Sequence, residues 1–66
     1  MNLFEITFCF IDKYGFVERT DYDEEAYYTE YVYAENRDMA LKIVQYRVGI
    51  DKNIEWVQIK EFEEIK

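Results

Sequence analysis

Tyr33-Ala-Glu-Asn-Arg-Asp-Met-Ala-Leu-Lys-Ile-Val-Gln-Tyr-Arg-Val-Gly49 reads as a strand end running directly into one amphipathic helix. Asn36 is a good N-cap, because its side-chain oxygen can accept from the free amides of a first helical turn. Asp38 falls in that turn, where the helix dipole favours a negative charge. Ala40, Leu41, Ile43, Val44 and Val48 recur at spacings that place them on one side of a helix. Arg47 comes in the last turn, and Gly49 follows where a left-handed C-cap residue is expected. Start, apolar stripe and stop agree.

Outward from this stretch, Leu3 to Ile11 predicts a strand with Phe4, Ile6, Phe8 and Phe10 on one face. Its only charge is Glu5, which suits a central position in a sheet. Asp12-Lys13-Tyr14-Gly15 is turn-like, with Gly15 able to take positive φ. Phe16 to Thr20 could extend a short hairpin strand, and Asp21 to Glu25 is an acidic break. Ala26 to Glu35 predicts a second strand, rich in tyrosine, threonine and valine. Tyr27, Thr29, Tyr31 and Tyr33 share one face of it, and Tyr28, Glu30, Val32 and Ala34 the other. Beyond the helix, Asp51-Lys52-Asn53 is a loop and Ile54 to Phe62 the last strand. There Val57 and Ile59 are expected to face one way, and Trp56 and Phe62 the other. Glu63-Glu64-Ile65-Lys66 is expected to fray.

A strand that passes through a helix to another strand makes a crossover, with the two strands parallel and the connection right-handed. With the apolar first strand between them, every neighbouring pair is antiparallel. The sequence therefore predicts one α+β domain over residues 1–66, of β-β-α-β order. It is a mostly antiparallel three-stranded sheet, in spatial order second-first-last, with one helix on one face. An extra hairpin strand near Phe16 to Thr20 would lengthen this sheet without changing it.

The 66 residues are half hydrophobic and one fifth aromatic, too apolar for a disordered chain. A domain of this size is close to the lower limit for a self-sufficient core. Net charge is −7 and the pI about 4.4. That balance opposes direct binding of nucleic acid or anionic membrane and favours a basic partner surface, or simply solubility. The single Cys9 cannot make an internal disulfide. Met1 to Glu5 lacks the basic flank and apolar run of a signal peptide, and no stretch approaches a membrane span of about 20 apolar residues. A cytoplasmic location is expected.

Catalysis has little to draw on. Histidine is absent, which removes the commonest general base near neutral pH. Cys9, Thr7, Thr20 and Thr29 are the candidate nucleophiles. Cys9 has no basic neighbour in sequence to make it a thiolate, so it reads as a small residue packed on the sheet. Asp21, Asp23 and Glu25 begin like an EF-hand loop. Ala26, however, stands where the glycine belongs, and Val32 where the closing glutamate belongs. No zinc spacing is present either. Neither an enzyme nor a cofactor or metal is expected.

The acidic segment supports a different reading. Glu18, Asp21, Asp23, Glu24, Glu25 and Glu30 face only Arg19 in opposite charge, and Tyr22, Tyr27, Tyr28 and Tyr31 are interleaved with them. Carboxylates spaced along a rigid surface can imitate phosphates, and tyrosine suits interface cores. Such a surface would dock on a basic, nucleic-acid-binding groove, with steering to speed encounter. The plainer reading is an acidic face that keeps an aromatic-rich protein soluble.

Tyr33-Ala34-Glu35, then Asp38, Ala40 and Leu41, then Tyr46 before a short loop and a final strand, resembles the small RNA polymerase inhibitor of T7-like phages. More broadly, the chain is similar to small acidic phage-encoded inhibitors of host proteins. The resemblance runs from Ala26 to Lys60, about half the chain. It implies a three-stranded sheet with one helix that binds the polymerase jaw through an acidic strip plus arginines on the last strand. Glu35 and Asp38 match that strip. Thr29, Lys42 and Gln45 stand where the family carries acids, and Gln58 and Lys60 replace its arginines. The segment from Asp12 to Glu25 is an insertion relative to it.

Together these features predict an anti-defence or anti-polymerase protein that occludes a basic site on a host protein such as RNA polymerase or a CRISPR nuclease. The expected contacts are Asp21, Asp23, Glu24, Glu25, Tyr27, Tyr28, Glu30, Glu35 and Asp38. The chain is expected as a monomer or a homodimer. The second expectation is a homo-oligomerising module whose second and last strands are sheet edges, a dimer that buries Tyr31, Tyr33, Trp56 and Phe62.

Overall fold

The computed structural model describes residues 1–63, so the fraying expected for Glu64-Ile65-Lys66 lies outside the described residues. The elements are β1 (Asn2–Phe10), β2 (Tyr28–Ala34), α1 (Arg37–Val48) and β3 (Ile54–Phe62). They form one β-β-α-β domain whose sheet runs in the order β2-β1-β3, with both pairings antiparallel. The most apolar strand is central, as its composition required.

Phe4, Ile6 and Phe8 on β1, Val32 and Ala34 on β2, and Ala40 and Val44 on α1 make the buried core. The cross-strand register sets Phe4 against Val32 and Ile6 against Glu30, so one face of the sheet carries the apolar row that the helix covers. The helix lies mainly over β2 and β1. Leu41, Ile43 and Val48 are only partly buried, which splits the predicted stripe. At about 100° per residue Ile43 is turned well away from Val44, and its outer side joins Met39 and Tyr46 instead.

Asn36 is the N-cap, in extended backbone, and its Oδ1 accepts from Met39 N–H at 2.9 Å. Asp38 occupies the first turn and Arg47 the last. The C-terminus differs in detail from the left-handed cap expected. Gly49 takes φ 129° and ψ 124°, outside the left-handed helical region, while its N–H bonds to Gln45 C=O at 3.0 Å. Gln45 explains the departure: its side-chain amide donates to Gly49 C=O at 2.7 Å and Lys52 C=O at 3.1 Å, tying the helix end to the loop.

The expected alternation of β3 is corrected by a β-bulge. Phe8 pairs with Trp56 while Thr7 pairs with Gln58, so Val57 is an extra residue. The bulge resets the faces. Trp56 and Ile59 therefore both point to the helix side with Ile54, and pack against the core. Val57 is left exposed. Trp56 meets Phe8 edge-on, 6.0 Å between ring centres.

Residues 11–27 extend the sheet beyond β1 without forming a continuous strand. Ile11 bridges Val17 and Arg19 bridges Glu25, each as an isolated antiparallel pair. Asp12 closes the first turn, its carboxylate accepting from Tyr14 N–H at 2.8 Å and Phe16 N–H at 3.0 Å, with Gly15 at φ 85°. β1 is correspondingly shifted by one residue, to Asn2–Phe10, and β2 is shorter than expected, at Tyr28–Ala34, while β3 keeps its expected bounds. Ile11 belongs to the first bridge, and Ala26 donates to Glu18 C=O rather than to β1. This ribbon helps make the molecule long and thin, 43 × 22 × 15 Å.

Candidate partner-binding surface

The ribbon places the acidic segment at its tip. Thr20 organises the turn: Thr20 N–H donates to Glu24 C=O at 2.7 Å and Asp23 N–H donates to Thr20 C=O at 3.0 Å. The Thr20 hydroxyl accepts from Tyr22 N–H at 3.2 Å. Asp23 sits at φ 60°, a left-handed conformation that aspartate tolerates better than most residues. Arg19 Nη1 donates to Asp23 C=O at 2.9 Å, and its Nε lies 3.8 Å from the Asp23 carboxylate. That pair is solvent-exposed and holds shape more than energy. The turn thus displays Asp21, Asp23 and Glu24, all exposed, around Tyr22, which is 88% exposed.

Glu25 and Tyr27 lie where the ribbon returns to the sheet. There they approach Cys9 and Glu55, which are paired across β1 and β3 on the face away from the helix. The Cys9 thiol is buried and lies 3.8 Å from Glu55 Oε2. Burial pushes its pKa up, and the charge and hydrogen bond of Glu55, with the charge of Glu25, push it further. These surroundings hold a protonated thiol and oppose a thiolate nucleophile. The Tyr27 phenol is raised likewise by desolvation, then by the charge of Glu25, then by Cys9 and Glu55. Among the described residues no group of three or more cysteine, aspartate or glutamate side chains is arranged to hold a metal ion.

The nine residues expected to bind a partner divide into separate places. Asp21, Asp23, Glu24, Glu25 and Tyr27 gather at the tip and its base. Tyr28 and Glu30 are on the helix side of β2: Tyr28 stacks on Phe8 with ring centres 5.8 Å apart, and Glu30 is half-buried opposite Ile6. Glu35 and Asp38 are exposed at the far end of β2 and the helix start. The seven residues of β2 separate them from the tip by roughly 20 Å.

The tyrosines divide as well. Tyr31 and Tyr33 are exposed on the open face of the sheet, where Tyr33 and Phe62 flank Leu3, and Tyr31 and Lys60 flank Glu5. Trp56, expected there with them, is on the helix side because of the bulge.

A feature the sequence reading missed is an apolar groove of about 320 Å³ along the helix, lined by Met39, Lys42, Ile43, Tyr46 and Arg47. Its signal was present in the i, i+4, i+7 spacing of Met39, Ile43 and Tyr46, masked by the stronger core stripe beside it.

No helix among the described residues is long and apolar enough to cross a membrane. Compared with protein-family models, curated proteins and solved structures, the chain matches none.

Proposed function

We propose that this chain is a protein-binding inhibitor, phage-encoded and acting in the host cytoplasm, that occludes a basic nucleic-acid-binding surface of a host protein such as RNA polymerase or a CRISPR or other defence factor. The observation that carries the reading is the acidic tip. Asp21, Asp23 and Glu24 project from a turn held by main-chain and Thr20 hydrogen bonds, with Glu25 at its base and the exposed Tyr22 among them. A preorganised set of carboxylates loses little conformational entropy on binding, and an aromatic ring among them supplies buried area. The narrow, elongated shape suits insertion of the tip into a groove that otherwise receives a phosphate backbone.

The resemblance to the T7-type polymerase inhibitor supports the same class of action. In this chain it falls on Glu35 and Asp38, at the opposite end of β2 from the tip. We therefore assign the docking contacts to Asp21, Asp23, Glu24, Glu25 and Tyr27, with Glu35 and Asp38 as a second, separate acidic patch.

The test is a pull-down from bacterial lysate with the tagged protein and with a variant carrying Asp21→Asn, Asp23→Asn, Glu24→Gln and Glu25→Gln. The expected result is one dominant nucleic-acid-binding protein, retained at low salt by the parent chain and lost both at high salt and with the variant. Retention by both proteins irrespective of salt would overturn the phosphate-mimic mechanism.

A further inference from the structure

The two outer strands are not equivalent. Along β3, Glu55, Lys60 and Glu61 place charges on the strand, the usual protection of a sheet edge against pairing. β2 carries one charge, Glu30, and is otherwise tyrosine, threonine, valine and alanine.

The main-chain bonding pattern shows which β2 groups are free. Phe10 and Asp12 direct their main-chain groups to residues 16–18, whereas Ile11 N–H donates to Asn53 C=O on the β3 side. Even-numbered residues of β1 therefore face β2, and the register Phe4–Val32 and Ile6–Glu30 engages the even-numbered residues of β2. Thr29, Tyr31 and Tyr33 are left with N–H and C=O directed outward. Tyr31 C=O is met by Arg47 Nη1 at 3.3 Å, which confirms that direction. No strand covers this edge among the described residues.

That same arginine lines the apolar groove on the helix. The strand edge and the outer helix stripe of Met39, Ile43 and Tyr46, with Met39 and Tyr46 exposed and Ile43 partly buried, are thus parts of one continuous surface. It carries Lys42 and Arg47 in an otherwise acidic chain, and beside it lies an acid without a counter-ion. Glu30 is half-buried on the helix side of β2, with no hydrogen bond or ion pair among the described residues.

We propose that this surface binds a second copy of the chain, β2 pairing antiparallel with β2 across a two-fold axis near Tyr31. The arrangement is self-complementary, as an isologous interface must be. Tyr31 meets Tyr31, Thr29 meets Tyr33, and Glu30 meets Val32, so no like charges stand opposite one another. Both helices fall on the same face of a six-stranded sheet, where each brings its Met39–Ile43–Tyr46 stripe towards the other. Glu30 of each copy lies one residue from the axis, where Arg47 of the other reaches the strand edge. The acidic tips then point in opposite directions, outside the interface. The self-association expected from sequence also invoked edge strands but buried Tyr31, Tyr33, Trp56 and Phe62. This arrangement uses the β2 edge and the helix stripe, and it does not depend on the acidic-tip reading.

The test is sedimentation velocity over roughly 1 µM to 1 mM, with amide hydrogen exchange at both ends of that range. The expected result is a monomer–dimer equilibrium, with the Thr29, Tyr31 and Tyr33 amides protected only at high concentration. Met39→Lys and Tyr31→Pro should each weaken the dimer tenfold or more while circular dichroism stays unchanged, since edge strands tolerate proline. Glu30→Arg and Arg47→Glu should each weaken it, and the double exchange should restore it. A monomer at every concentration would overturn the proposal. So would a dimer that survives all of these changes, or one dissolved only by Leu3→Lys or Phe62→Lys, which would place the contact on the open face.

Discussion

Phe8 and Trp56 meet edge to face across the β1–β3 pair, ring centres 6.0 Å apart at 63°, because the extra residue Val57 turns Trp56 to the helix side. Phe8 also contacts the rings of Phe10 and Tyr28, so it joins all three strands. Phe8→Ala should destabilise the fold by about 3–5 kcal/mol. In a domain this small that is comparable to the whole stability, so urea titration should show no folded baseline at 25 °C. A cooperative transition close to that of the parent chain would contradict the role given to Phe8.

Asn36 caps the helix through one bond to Met39 N–H. Asn36→Ala should cost about 1 kcal/mol and Asn36→Asp close to nothing, because aspartate caps equally well and adds a favourable charge at the dipole's positive end. Chemical denaturation of the three proteins checks this.

Gly49 holds φ 129°, and a Cβ built there would lie 3.0 Å from Lys52 Cγ and 3.2 Å from Asp51 Oδ1. Gly49→Ala is therefore expected to lose roughly 1–3 kcal/mol, mostly as backbone strain. Gly15, with φ 85° and open space around its Cβ position, should show the backbone part alone. Comparing the midpoints of Gly49→Ala and Gly15→Ala separates the two contributions.

The folded state holds the Cys9 proton more tightly than an ordinary thiol of pKa 9.0, and the Tyr27 proton more tightly than an ordinary phenol of pKa 10.0. Both pKa values are raised, so their contribution is fully present below the unfolded values. It is lost as pH climbs through the folded ones. Stability should be flat up to about pH 8 and decline above about pH 9. Cys9→Ala should make that decline shallower. At pH 8 the native thiol should react with a disulfide reagent far more slowly than in urea, since burial and the protonated state both protect it.

Neutralising the tip with Asp21→Asn, Asp23→Asn, Glu24→Gln and Glu25→Gln should leave the denaturation midpoint almost unchanged. Asn accepts the φ of 60° at position 23, and the turn's bonds come from Thr20 and the main chain. Partner affinity should fall steeply, and with it the salt dependence of binding.

The elements were legible in the sequence wherever local chemistry and periodicity agreed. Asn36, Asp38, Arg47 and Gly49 marked the helix, and the apolar run from Phe4 to Phe10 marked the central strand. The bulge at Val57 showed only as an imperfect alternation, with Trp56 and Val57 both apolar, which aromatics shielding an open sheet face explain equally well. The limits of β2 shifted because Ala26 bonds to Glu18, a pairing set by the ribbon rather than by propensity. The candidate contacts were legible as residue types but not as a surface. Charge spacing along the chain could not tell that Glu35 lies a strand's length from Asp21, or that Tyr28 faces the core. The outer stripe of the helix was hidden for a related reason: Ile43 fits both stripes on spacing alone, and only packing divides them.

The hydrophobic core draws on β1, β2, α1 and β3 and takes nothing from residues 12–27. The tip is therefore a passenger on the fold. Substitutions there are free to alter which surface is recognised without bearing on whether the chain folds. With the docking role proposed for the tip, recognition would change through a handful of exposed positions while the sheet and helix behind them stay constant.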